Sequence, residues 1–186
     1  MHCLSKADGA SLLQLAQAAV REAVTNGKLP SQIPLQGVFA EHRGVFVTLR
    51  IAGRLRGCIG TIEGREALGD AVAHCAVGAA LQDPRFSPVR PDELPALQAE
   101  ISVLSPLAPT RPADVVIGRD GLFIIARGKQ GLLLPQVAVE HRLDREQFLA
   151  ETCQKAGLPW DAWREPQTRV FTFTCEVFSE GDSGPV

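Results

Sequence analysis

The 186-residue sequence predicts an α+β fold, a largely antiparallel sheet flanked by helices. Three observations carry that prediction. Apolar runs of strand length are joined by tight-turn signals, the connection antiparallel partners need. Helical and strand patterns alternate irregularly, unlike repeated strand–helix–strand units. The hydrophobic share is 45% and the charged share 22%, ordinary for one well-cored domain, and no repeat or low-complexity segment interrupts it.

The elements follow in order. "SLLQLAQAAVREAVT" (11–25) places Leu12, Leu15, Ala16, Ala19 and Val20 near helical spacing, with Ser11 or Asp8 as cap and Gly27 with Pro30 as stop. "KLPSQIPLQG" (28–37) is a Pro-punctuated loop. "GVFVTLRIAGRLRGCIGTI" (44–62) reads as a hairpin turning at Ala52–Gly53. "REALGDAVAHCAVGAALQ" (65–82) is an Ala-rich helix that Pro84 stops. "SPVRPDELPAL" (87–97) is a turn-rich connector, and "LQAEISVLSPL" (97–107) a strand ended by Pro106. "DVVIGRDGLFIIARGKQGLLLPQV" (114–137) suggests a small meander around two turns. "DREQFLAETCQKAG" (144–157) is a helix whose acidic start and late Lys155 suit its dipole. "TRVFTFTCEVF" (168–178) alternates as one closing strand, and 180–186 is a loose tail. The whole chain is read as a single domain with its core at about residues 10–179.

Composition excludes several functions. Net charge is −2 and Tyr is absent, so neither a basic surface nor aromatic stacking recommends nucleic acid. No apolar run approaches the roughly 20 residues that span a bilayer, and "MHCLSKADGA" lacks a signal-peptide layout. The five cysteines (3, 58, 75, 153, 175) are odd in number and form no CxxC pair, which fits a reducing cytoplasm and no metal site. No Walker A or GxGxxG string is present, so no cofactor is expected.

One stretch carries chemistry, "RLRGCIGTI" (54–62). Plain alternation puts Arg56, Cys58, Gly60 and Ile62 on one face of a strand, and Leu55, Gly57, Ile59 and Thr61 on the other. A nearby cation favours thiolate, and Gly57 and Gly60 leave bare backbone for a ligand or another segment. The plain alternative is a small buried cysteine with glycines marking a bulge. "DPRF" (83–86) offers Asp83, as an acceptor of backbone N–H groups in a turn, and Arg85 to an anion. Among the four histidines, His141 after Glu140 is the best placed to reach a cleft, while His74 and Cys75 are adjacent on a helix and cannot share a face.

Taken together, "LRGCIG" (55–60), "DPRF" (83–86), "EISVLS" (100–105), "GLLLPQVAVE" (131–140) and "FLAETCQKAGLPWDAW" (148–163) resemble the AMMECR domain family over roughly residues 10–179. Its bacterial and archaeal members are called AmmeMemoRadiSam system protein A. The resemblance implies two unequal lobes with a cleft between them and the "LRGCIG" strand near that cleft. It also implies a setting shared with a Memo-type protein and a radical-SAM protein, without an agreed reaction. By motif match it points to Arg56, Gly57, Cys58, Gly60, Asp83, Arg85, Glu100, Pro135, Gln136 and Glu140. Relatives often carry tryptophan where this chain has Leu143, which weakens a role for His141.

The leading expectation is a cytoplasmic protein binding or transforming a small anionic ligand, or a modified group on a partner. Cys58 is then the nucleophile, Glu140 or His141 handles protons, and Arg56, Gly57, Gly60, Arg85 and Gln136 contact the ligand. The rivals are a non-catalytic adaptor that docks a partner on the same surface, and redox sensing by Cys58 with a resolving cysteine elsewhere.

Overall fold

The computed structural model describes residues 3–30, 33–34 and 36–180. Met1, His2, part of the 28–37 loop and 181–186 of the expected tail lie outside the described residues. In chain order the elements are α1 (Lys6–Asn26), β1 (Val45–Ile51), β2 (Arg54–Thr61), α2 (Leu68–Leu81), β3 (Leu97–Leu104), β4 (Ala108–Pro109), β5 (Gly121–Ala126), β6 (Lys129–Leu133), α3 (Pro135–Glu140), α4 (Arg145–Lys155), β7 (Arg169–Phe173) and β8 (Cys175–Ser179). The fold is α+β, with two four-stranded antiparallel sheets in place of one. The chain divides into two compact units, residues 1–104 with 176–186, and residues 105–175.

In the first unit the sheet order is β2-β1-β3-β8. The β1–β2 hairpin turns through Ala52 (φ 49°) and Gly53 (φ 76°), two left-handed residues in succession, as a type I′ turn needs. Val45, Val47, Leu49, Ala99, Ile101 and Val103 alternate inward and are buried with the apolar stripes of α1 and α2. Helix α1 begins earlier than the sequence suggests. Ser5 is its N-cap, exchanging hydrogen bonds with Asp8, and Ser11 sits inside, its hydroxyl donating to the Ala7 carbonyl. Gly27 closes α1 in the left-handed conformation (φ 67°). The Ala-rich α2 starts three residues later than its pattern, at Leu68.

In the second unit the sheet order is β4-β7-β5-β6, and Leu122, Ile124, Val170, Phe148, Leu149 and Cys153 build its core with α4. The expected meander is a single hairpin, β5–β6, turning at Arg127–Gly128, while "DVVI" forms no strand. The run "LLLPQVAVE" hides a short helix, α3, begun by Pro135 at its first position. "TRVFTFTCEVF" is two strands, not one. At Thr174 the backbone N–H donates to the Ser105 hydroxyl and the carbonyl accepts from Ser105 N, so the ladder is interrupted and β7 and β8 join different sheets. Among the described residues no helix is long and apolar enough to cross a membrane.

Candidate functional site

Strand β2 lies at the edge of the first sheet, so half of its backbone groups face away from β1. Its register with β1 shifts once: Leu49 pairs with Gly57, but Arg50 pairs with Leu55. Arg56 is therefore the extra residue of a β-bulge, and a bulge re-aims its side chain. This corrects the plain alternation. Leu55 joins Cys58 and Gly60 on the face away from the helices, and Arg56 leaves that row.

The Arg56 guanidinium turns instead to Glu93, with Nε 2.8 Å from Oε1 and Nη2 3.0 Å from Oε2. It also donates to the carbonyls of Ser87 (2.9 Å) and Pro88 (3.2 Å). Glu93, mainly through this bonding, is brought down to about 2. The sequence left Arg56 without an acidic partner; folding supplies one 37 residues away.

The cation beside Cys58 is Arg85. The "DPRF" turn brings Asp83 and Arg85 against the free edge of β2. Asp83 Oδ2 accepts the Cys58 N–H at 2.9 Å, and Arg85 Nη2 donates to the Cys58 carbonyl at 3.4 Å. A carboxylate and a guanidinium thus occupy the positions a neighbouring strand would fill. Asp83 also accepts from Arg85 N, Nε and Nη2, and it is 4% exposed. The Arg85 guanidinium, aided by the two N–H donors, outweighs burial and holds the Asp83 carboxyl well below the usual carboxylate range. Arg85 lies over the Phe86 ring at 5.5 Å, half of its side chain facing solvent.

Cys58 is half-buried, and its sulfur accepts a hydrogen bond from the Thr48 hydroxyl at 3.3 Å. Thr48 is directly opposite Cys58 on β1, and Glu100 is directly opposite Thr48 on β3. The three form one row on the helix-free face of the sheet. Thr48 was not found in the sequence, because only the position of the bulge fixes which β1 residue meets Cys58.

The two glycines serve packing. A Cβ on Gly57 would fall on the Ala79 carbonyl of α2, and one on Gly60 would fall on the Phe46 ring. The place of a side chain on both is filled by the protein itself, so what the bare backbone admits there is another segment of the chain, one of the two approaches expected of these glycines.

Three of the other four thiols are raised by their surroundings. Cys3 donates to Glu176 at 3.2 Å, and that acceptor pushes its pKa up. Burial pushes Cys153 up and Cys75 to about 12. Gln136, Glu140 and His141 belong to the second unit. Gln136 Oε1 is buried with no hydrogen-bond partner among the described residues. Glu140 is exposed, and His141 lines a cavity with Leu133, Val137, Leu143, Glu151 and Lys155. Among the described residues no group of three or more His, Cys, Asp or Glu is arranged to hold a metal.

Comparison with known proteins places this geometry. The AMMECR1 family model matches residues 13–178. A protein of Methanothermobacter thermautotrophicus is 45% identical over 187 residues, covering 95% of this chain and 96% of that relative. One from Thermococcus gammatolerans is 45% identical over 193 residues, covering 96% and 93%. The crystal structure of uncharacterized protein PH0010 from Pyrococcus horikoshii matches with a TM-score of 0.89 at 41% identity, covering 98% of this chain and 96% of that one.

Proposed function

Since the chain belongs to the AMMECR1 family, we propose that it acts in the cytoplasm as an AmmeMemoRadiSam system protein A, through a thiol-centred site on β2. Cys58 Sγ meets a small anionic ligand, or a modified group carried by a partner, and Arg85 supplies the charge that attracts it. The partners are a Memo-type protein and a radical-SAM protein. One observation carries this reading: Cys58 is only half-buried, its sulfur is oriented by the Thr48 hydroxyl, and a half-exposed arginine donates to its carbonyl. Because the Thr48 hydroxyl donates to the sulfur, the S–H bond points elsewhere and a sulfur lone pair is fixed in direction. Cys75 and Cys153 are buried, which shields them from a reagent in the native protein.

The test is site-resolved alkylation of the native protein, followed by mass spectrometry. Cys58 is expected to react first, and Cys75 and Cys153 only on denaturation. Phosphate, sulfate or a carboxylate is expected to raise the Tm of wild type more than that of Arg85→Met. Reaction at Cys58 only after denaturation, or equal anion shifts in both proteins, refutes the reading.

The adaptor alternative has one observation in its favour. The bulge puts Leu55, 37% exposed, on the Cys58 face, and the glycines rigidify that strand by packing. It predicts that Leu55→Asp abolishes partner binding while Cys58→Ser is silent.

A further inference from the structure

The second unit contains a cavity of about 560 Å³ that the thiol site does not use. Leu133, Val137 and Leu143 form its half-buried lining, and His141, Glu151 and Lys155 stand exposed around it. The volume falls within the range of small-molecule pockets. Glu151 and Lys155 are four residues apart on α4 (Arg145–Lys155), in the order that favours an ion pair on one helix face. They make none. Among the described residues neither side chain, nor that of His141, forms a hydrogen bond or ion pair. An apolar hollow is thus bordered by one carboxylate, one ammonium and one imidazole, none of them satisfied among the described residues.

We propose that this cavity binds a small zwitterion with an apolar side chain, either a free α-amino acid or a short peptide with both ends charged. The ligand ammonium pairs with Glu151, its carboxylate with Lys155 and His141, and its side chain covers Leu133, Val137 and Leu143. A simple anion leaves Glu151 unpaired beside a negative charge, and a simple cation leaves Lys155 unpaired, so the lining selects a ligand bearing both. No bond is made or broken. This site stands apart from the Cys58 reading, sharing no residue with the Cys58–Arg85 cluster, so the two fail separately.

The experiment is calorimetric titration of the full chain with L-leucine and leucyl-leucine, with 4-methylpentanoate and leucinamide as ligands lacking one charge. Amide NMR shifts locate the site. Saturable binding of leucine or of the dipeptide is expected, with shifts at residues 133–155. Each one-charge analogue, and each of Lys155→Met and Glu151→Gln, is expected to weaken it about tenfold, the loss of about 1.4 kcal/mol. Tighter binding of leucine assigns a free amino acid; tighter binding of the dipeptide assigns a peptide. Both variants change exposed residues, and an unchanged amide spectrum away from the cavity shows that they fold. No saturation by about 10 mM, equal binding of 4-methylpentanoate, or undiminished affinity in both variants overturns the proposal.

Discussion

Replacing Asp83 with asparagine removes a buried charge and keeps its shape. Asp83 accepts four hydrogen bonds, from Cys58 N and from Arg85 N, Nε and Nη2. Breaking one partner of a buried ion pair costs about 3–5 kcal/mol when the other is left desolvated. Here Arg85 is not left desolvated, because 53% of its side chain faces water and can be rehydrated. Asparagine also still offers an oxygen to the Cys58 N–H, a neutral hydrogen bond worth about 1 kcal/mol. The expected loss is therefore about 2 kcal/mol, read by urea unfolding as a lower midpoint with unchanged slope.

Acid supplies the second reading. The native carboxyl titrates below the unfolded value of about 3.9. Between those values the unfolded chain binds more protons, so stability rises with pH there. The Asp83 contribution is full above about pH 5 and declines as pH falls toward the depressed native value. The gap between wild type and Asp83→Asn must narrow over that window. A gap that is constant down to about pH 2, or smaller than about 0.5 kcal/mol at neutral pH, refutes the edge-lock reasoning.

Two further perturbations separate packing from chemistry on β2 (Arg54–Thr61). Arg56→Met removes the guanidinium that holds Glu93 at about 2, leaving Glu93 with the Arg90 N–H. Both side chains are mostly buried, so a loss of about 2 kcal/mol is expected at neutral pH. It should shrink as pH falls from about 4 toward the native Glu93 value; denaturant midpoints equal to wild type at neutral pH count against it. Gly57→Ala meets the Ala79 backbone carbonyl, which cannot swing aside, and should cost about 3 kcal/mol or more. Gly60→Ala meets the Phe46 ring at its base and also the Val45 backbone carbonyl, and should cost about 2–3 kcal/mol; thermal unfolding of either variant at the wild-type temperature would contradict the packing assigned to the two glycines.

The β1–β2 hairpin was legible because its turn residues carry a local signal, and the register of α1 because its apolar positions recur on one face. The split at Thr174 was not legible. Alternation continues through it unbroken, and what ends β7 is a pair of hydrogen bonds from a residue 69 positions earlier. Helix α3 escaped because six residues within an apolar run show no period. The bulge at Arg56 had the largest consequence, since an extra residue in a strand leaves no mark in composition. Missing it gave Cys58 the wrong arginine and concealed Thr48.

Arg56, Gly57, Gly60 and Asp83 are thus engaged in holding the edge strand, through Glu93, Ala79, Phe46 and the Cys58 N–H respectively. What the motif leaves outside this lock is the sulfur of half-buried Cys58, which only the Thr48 hydroxyl meets among the described residues, and the outer side of Arg85, whose Nη1 donates to no described residue. A loss of activity in any of the four holding positions therefore reports on stability before it reports on chemistry. Only Cys58→Ser and Thr48→Val alter the sulfur or its donor while leaving the backbone lock of Asp83 and Arg85 in place, so only variants of that kind, folded as wild type, can decide whether the thiol acts.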